Sequence, residues 1–331
     1  MKLLPTLRAW LPAPLLCAAA LGAVFAGPAA AQSSYPNKPL RMIVPFAPGG
    51  AADIVGRAVA DALLHELGQP VVVVNQGGAG TIIGVDMAAK APPDGYTLLV
   101  SGDAATVNTA SGRKLPYDLM KDLQPVSLLY SGTQYLLSRV DGPYKTLDDL
   151  VRYGRAHPGE LKFGSTGIGT STHMSLESFN AAAGIRAVHV PYRGVAPAMT
   201  DLAGGHVDYV IAGSTAAIPA IENKTFRALA VTSRTRSPLT PQVRTLIEQG
   251  VQAETGSWYG LFVPAGTPPA IVERLNKATV AALKTDELAR RFKSLGGETR
   301  ATTPAEASAF MRDEIDRFGS LMRKLDIKLT E

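Results

Sequence analysis

The chain has 331 residues, 33 of them basic and 28 acidic, for a formal net charge of +5, and it holds one cysteine. The charges are dispersed with no block of five like signs, which excludes a nucleic-acid stripe and a basic helix for a membrane surface. One cysteine excludes a disulfide framework, and 46% hydrophobic residues supply enough apolar surface for a globular core.

Lys2 and Arg8 precede an Ala-rich apolar stretch that ends at Ala29-Ala30-Ala31, the pattern of a secretory signal with a small-residue cleavage site. Pro12, Pro14 and Pro28 break the stretch, and it is too short for a membrane anchor. A lipid anchor needs a small residue before the cysteine, and Leu16 precedes Cys17. Cleavage after Ala31 leaves 300 of the 331 residues, a balance of +3, and no cysteine. An exported chain of that length without disulfides relies on its cores alone, and its size suggests two domains.

Leu40 to Leu64 is the organising stretch. Met42 to Phe46 is an apolar run of strand length, Ala47-Pro48-Gly49-Gly50 is a turn, and Ile54, Val55, Ala58, Val59, Ala62 and Leu63 recur at helical spacing. A Gly-rich turn into a helix lets backbone approach an anion, although glycine also serves ordinary strand–helix connections. Val71 to Val74 reads as a strand buried on both faces. Asn75 to Gly80 turns into a helix from Thr81 to Lys90, and Tyr96 to Ser101 is a third strand. The first hundred residues thus predict a parallel β-α-β-α-β unit. Gly102 to Pro125 shows no regular period.

Val126 to Tyr130 and Leu136 to Val140 read as extended, and Thr146 with Asp149 forms a capping box for the next helix. Leu161 to Gly164 leads into a second turn rich in Gly, Ser and Thr, Ser165 to Thr172, followed by a helix from His173 to Ala183. Strands at Val188 to Val190, Val207 to Ala212 and Arg227 to Thr232 alternate with helices at Gly194 to Ala203 and Ala216 to Glu222, a second α/β lobe. Ser237 to Gly250 is expected to hold a short helix behind Pro241. Trp258 to Val263 is a strand, and helices follow at Pro269 to Leu283, Thr285 to Leu295 and Pro304 to Asp326, the last with Thr303 as cap and Pro at its first position. These late helices need a sheet face to cover, so the chain is expected to leave lobe one near Ser127 and return near Val231. The expected division is 1–31 signal peptide, 32–128 with 232–331 lobe one, and 129–231 lobe two.

Several motifs recur in order: Pro45-Phe46-Ala47-Pro48-Gly49-Gly50 with Asp53, Lys90 to Leu99 (KAPPDGYTLL), Phe163 to His173 (FGSTGIGTSTH), His189-Val190-Pro191-Tyr192-Arg193-Gly194, Asp201 to Asp208, Arg227 to Thr232 and Pro264-Ala265-Gly266-Thr267-Pro268. In this order and spacing the chain resembles the Bug/TctC-type receptors, the periplasmic substrate-binding proteins of tripartite tricarboxylate transporters, over nearly its whole mature length. It departs from them where Gln76-Gly77 follow Asn75 in place of Arg-Pro, and over Gly102 to Gly112, a region that would face the variable end of a ligand.

The resemblance implies an α/β, two-lobe periplasmic-binding-protein-like (Venus flytrap) fold, each lobe a mostly parallel sheet flanked by helices. It implies a periplasmic receptor that closes on a small organic carboxylate, holds it between the two Gly-rich turns partly through ordered water, and passes it to membrane transporter subunits. A monomer is expected, with no nucleic-acid partner and no cofactor. The candidate ligand-binding residues are Phe46, Ala47, Gly49, Gly50, Asp53, Ser165, Thr166, Gly169, Thr170, Ser171, Thr172, His173 and Asp208. Phe46 is otherwise core, Asp53 a partner for the helix dipole, and His173 a cap or packing residue. Five hydroxyl residues within Ser165 to Thr172 exceed what capping needs. Asp208 ends a glycine turn into a strand expected to reach the cleft, where it would orient water or a ligand amino group, the alternative being a surface turn; Arg193-Gly194 reads as a surface turn, and Trp258 as packing.

The rival reading is an exported α/β hydrolase or transferase using a serine of that turn. No Gly-x-Ser-x-Gly elbow is present, and no base is legible beside any of those serines. Gly84 comes one residue late for a dinucleotide pattern after Gly78-Ala79-Gly80, and His65-Glu66 lacks a second His for zinc. A receptor for a non-carboxylate such as an amide is a third possibility.

Overall fold

The computed structural model describes residues 35–325 and 327. The predicted export signal, its cleavage point after Ala31 and Cys17 lie outside the described residues. The body that carries the sheets begins at Lys38.

The body starts with β1 (Leu40–Val44), α1 (Ala51–Leu67), β2 (Val71–Asn75), α2 (Ile82–Ala89), β3 (Thr97–Gly102), α3 (Asp103–Ala110), the single turn α4 (Leu119–Asp122) and the long β4 (Leu123–Gly132). Helix α1 buries Val55, Ala58, Val59 and Leu63 on one face and stops at Gly68, whose left-handed backbone lets its N–H close on Leu64 O at 2.9 Å. Next come β5 (Gln134–Arg139), α5 (Leu147–Ala156), β6 (Lys162–Ser165), α6 (Ser171–Ala183), β7 (Val188–Pro191), α7 (Val195–Gly204), β8 (Tyr209–Gly213), α8 (Ser214–Glu222) and β9 (Phe226–Val231). The Thr146–Asp149 capping box that opens α5 forms as the sequence predicts. The chain ends with β10 (Ser257–Pro264), α9 (Pro269–Leu283), α10 (Asp286–Ser294), β11 (Gly297–Thr299) and α11 (Pro304–Leu325).

The strands build two sheets, ordered β11-β4-β10-β3-β1-β2 and β7-β6-β8-β5-β9. Each has a parallel core, β2-β1-β3 and β7-β6-β8, completed by antiparallel pairings. The mixture follows from the crossings. Strand β5 enters the second sheet where β8 ends, Gln134 opposite Gly213, so it must run against β8. Strand β10 enters the first sheet where β3 ends, Tyr259 opposite Gly102, and runs against β3. The carboxyl ends of the parallel strands in both sheets therefore face the crossings, the usual place for a ligand in open α/β sheets.

On one face of the first sheet, α2, α3 and α11 close a core around Ile43, Leu99, Leu128, Trp258 and Phe262. The second sheet has a core on each face, one centred on Phe163, Phe179 and Tyr209, the other on Tyr135, Leu202 and Val210. Trp258 is buried, edge-on to Phe310 with centroids 5.2 Å apart, and its Nε1 donates to Glu314 at 3.3 Å.

Three local expectations are corrected. The four-valine run is the edge strand β2, with Val72 54% exposed, and no described strand pairs beyond it. The irregular stretch after Gly102 holds α3, an eight-residue helix that composition concealed. Behind Pro241 only a single 3-10 turn forms, Ile247–Gln249, while Val243, Leu246, Val251 and Ala253 pack into the cores of the second sheet.

Candidate functional site

A cleft of about 1090 Å³ opens at the carboxyl ends of the parallel strands, bounded on one side by the turns after β1, β2 and β3 and on the other by the turn after β6.

On the first-sheet side, Pro45 to Gly50 link β1 to α1. Asp53, 3% exposed, fastens this turn from behind: it accepts from Gly49 N at 2.9 Å and Asn75 Nδ2 at 2.8 Å, and pairs with Arg57 at 3.0 Å. Burial pushes its carboxyl up, but the bonds from Arg57, Gly49 and Asn75 prevail and hold it below the usual 3.8. Asn75 Nδ2 also donates to Phe46 O at 3.2 Å, tying the ends of β1 and β2 together. Beyond it the backbone turns through Gly78, Ala79, Gly80 and Thr81, all at positive φ, with Asn108 Nδ2 donating to Gly80 O at 2.7 Å. Gly84 lets α2 lie on this turn, since a Cβ there would stand 2.5 Å from Gln76 O. Asp103, the first residue of α3, is 7% exposed, and burial pushes its carboxyl up to about 7 against hydrogen bonds from the Ala104 amide and Ser171 hydroxyl. Tyr259 of β10 lies against Phe46 edge to face, centroids 6.2 Å apart.

On the second-sheet side the hydroxyls are knitted to one another. Thr170 caps α6, accepting from His173 N at 3.4 Å and donating to Gly167 O at 2.8 Å. Thr172 Oγ1 accepts from Thr166 N at 3.0 Å and lies 2.8 Å and 3.1 Å from the hydroxyls of Thr166 and Thr170. Thr170 therefore has no proton left for a ligand. With His173 N taken by the cap, the donors that α6 offers are the amides of Ser171 and Thr172, which have no acceptor within the helix.

Beneath this turn lies a ring stack. His173 is 3% exposed and stacks on His189 at 3.9 Å, and His189 stacks on Phe163 at 4.9 Å. His173 Nδ1 accepts from Gly169 N at 3.1 Å, so its proton sits on Nε2. Ser165 Oγ lies 2.6 Å from His189 Nε2 and accepts from Gly167 N at 3.2 Å. Burial first, and the neighbouring His173 second, push His189 down to about 4. An unfolded His189 takes up a proton below about 6.5 and the folded one refuses it until about 4, so its contribution to stability is whole above 6.5 and drains away as pH falls to 4. The loss should reach about 3 kcal/mol, and His189→Gln should flatten the unfolding midpoint between pH 7 and 4. An equally steep curve in the variant would place the acid sensitivity elsewhere.

Of the predicted residues, Phe46, Ala47, Thr166, Gly169, Thr170 and Ser171 line the cleft. Gly49, Gly50, Asp53, Ser165, Thr172 and His173 do not; Asp53, Ser165, Thr172 and His173 are buried behind the two turns and hold their shape, and Gly50 is the N-cap of α1. Asp208 is corrected outright. It precedes β8 at the strand's amino end, accepts from Lys162 N at 2.8 Å, and sits by Arg139 and Tyr144, away from the cleft. A glycine turn into a parallel strand lies at the end opposite the ligand crevice. The expectation that no base stands beside a serine of the turn is also overturned by Ser165 and His189. That pair is no nucleophile site, because Ser165 is 1% exposed and lies off the cleft.

The sequence reading missed Thr81, Asp103, Asn108 and Tyr259, which line the same cleft. The signal was a strand ending in Gly102-Asp103, the same strand–turn–helix grammar as the two turns it found. A smaller groove of about 420 Å³ beside the crossings takes none of the predicted residues, and two ion pairs stand in it, Arg234 with Glu254 at 2.8 Å and Arg317 with Glu314 at 2.7 Å. Among the described residues no group of His, Cys, Asp and Glu is placed to hold a metal, and no helix is long and apolar enough to cross a membrane.

The sequence profile of the tripartite tricarboxylate transporter family receptor, TctC, matches residues 55–327. BugT of Bordetella pertussis is 36% identical over 307 residues, covering 92% of this chain and 94% of BugT. The solved periplasmic binding protein BugD is 33% identical with a TM-score of 0.73, covering 89% of this chain and 99% of BugD. A Rhodopseudomonas palustris protein solved with adipate is 32% identical with a TM-score of 0.77, over 89% of this chain and 99% of that one. Two sheets with parallel cores, a cleft where those strands end and a family match across both make the chain a member of the tripartite tricarboxylate transporter receptors, solute-binding proteins of periplasmic-binding-protein fold and not enzymes.

Proposed function

We propose that this chain is a periplasmic receptor that captures a small organic carboxylate in the cleft and delivers it to the membrane subunits of a tripartite tricarboxylate transporter. The observation that carries the ligand class is a helix end at the cleft: Ser171, in the first turn of α6, lines it, facing the turn that leads to α1. Amides without helical acceptors and the positive ends of helix dipoles favour an anion. The R. palustris relative solved with adipate supports the same class.

In this reading the chain is exported, cleaved after Ala31 and works as a monomer without a nucleic-acid partner. The lobes are 32–128 with 232–331, and 129–231, except that residues 232–254 travel with the second lobe, into whose cores Leu246, Val251 and Ala253 pack. The ligand residues are Phe46, Ala47, Thr166, Gly169, Thr170 and Ser171, Thr170 through its surface and not through its committed hydroxyl, with Gly49, Gly50, Asp53, Ser165, Thr172 and His173 shaping the turns from behind.

Titrating the purified mature protein with a panel of organic acids should raise the unfolding temperature for the cognate acid. Saturation at a hundred times Kd stabilises by about 2.7 kcal/mol, and chromatography should recover the acid unchanged. A protein that no carboxylate stabilises would remove the ligand class from the reading.

A further inference from the structure

We propose that Asp103, with Thr81 and Asn108, forms an acceptor subsite for a protonated amine, so that the cargo is a carboxylate that also carries an amino group. This rests on the carboxylate reading above and adds the second functional group.

Asp103 lines the cleft at 7% exposure, and its Oδ2 has no hydrogen-bond partner. No ion pair is made by it among the described residues, and the one charge acting on it is that of Glu314, which opposes ionisation just as burial does. A buried carboxylate without a cation is costly to keep charged, and an arriving ammonium relieves that cost. Thr81 lines the same wall at 4% exposure, with its hydroxyl also unpartnered. Its backbone is held at φ 84°, a left-handed conformation that is strained for a β-branched residue. Asn108 spends its amide N–H on Gly80 O, which leaves its side-chain carbonyl as an acceptor on this wall.

The rings of Phe46 and Tyr259 flank these acceptors, and aromatic faces favour a cation. The opposite wall is donor-rich, with the first-turn amides of α6. The Ser171 hydroxyl of that same turn donates to Asp103, so acceptor and amides stand side by side, which matches a ligand carrying both an ammonium and a carboxylate better than a symmetrical dianion, whose second carboxylate would meet Asp103 with like charge. Arg113 also lines the cleft but does not figure among the groups acting on Asp103, so it leaves this pairing open.

The test uses matched probes on the mature protein: L-glutamate against glutarate, and 4-aminobutanoate against butanoate and succinate, read by calorimetry and thermal shift at pH 7.5. The amino acid of at least one set should bind ten times or more tighter than its amine-free partners. Asp103→Asn should remove most of that advantage while leaving affinity for the amine-free acid within about threefold. Thr81→Val, which deletes only the hydroxyl, should reduce the advantage in the same direction and covers the case in which Asp103→Asn does not fold. Amine-free acids that bind as well as or better than their amino counterparts overturn this inference and leave the carboxylate reading standing. Failure of every acid, amino or not, overturns both.

Discussion

Gly102→Ala is expected to cost at least about 3 kcal/mol and to sharply reduce the yield of folded protein. A Cβ on Gly102 would stand 1.9 Å from Trp258 O and 3.0 Å from the Tyr259 ring. The obstacle is backbone, so no rotamer change relieves it. Nor can β10 retreat, because it is hydrogen-bonded to β3 on one side and β4 on the other. The strain falls where β3 ends and α3 begins, so Asp103 and Tyr259 should shift with it and binding should weaken in whatever protein still folds. Gly213→Ala is the control, since Gly213 has φ −66° and nothing within 4 Å of the added carbon; its denaturation midpoint should match the parent. A Gly102→Ala protein with the parent's midpoint would mean that β3 and β10 lie further apart than described.

Asp53→Ala should lower stability by roughly 2–3 kcal/mol and weaken capture at the same time. The carboxylate takes hydrogen bonds from Gly49, Arg57 and Asn75, and Arg57 is half exposed and regains water when its partner is removed. Gly49 N loses its side-chain acceptor, Asn75 Nδ2 keeps only Phe46 O, and the turn that carries Phe46 and Ala47 loses its fastening. The sign with pH is definite. Asp53 ionises more readily folded than unfolded, so its contribution is complete above the unfolded value of about 3.8 and vanishes as pH falls through the lower folded value. Parent and variant should therefore differ fully at pH 6 and converge in strong acid, measured by urea denaturation. Undiminished stability with lost binding would return Asp53 to direct ligand contact.

Asp53 and His173 show where sequence reasoning stops. Both belong to the turns it singled out, yet both serve those turns from within. One-dimensional spacing marks the turn, while which side of it a side chain occupies depends on what packs behind: Asn75 for Asp53, and His189 for His173. The alternation of strand and helix was legible because each element carries its own apolar period, as in α1. The order of strands was less so. Val71 to Val74 looked interior because composition reports β preference and not neighbours. Helix α3 was hidden because Asp103 to Ala110 is made of small and polar residues, and it is held by packing against α11 and the first sheet rather than by its own pattern. Asp208 failed for a directional reason: the residue before a parallel strand and the residue after it stand at opposite edges of a sheet.

The burial of Trp258 has a practical consequence. The full chain has two tryptophans, Trp10 and Trp258, and the proposed processing after Ala31 would discard the first. The exported form then carries one indole, shielded from water, one residue from the cleft-lining Tyr259. Its emission should be blue-shifted in the empty protein, and any change on adding an acid reports on the neighbourhood of that single ring, an optical readout of occupancy that needs no dye and no label.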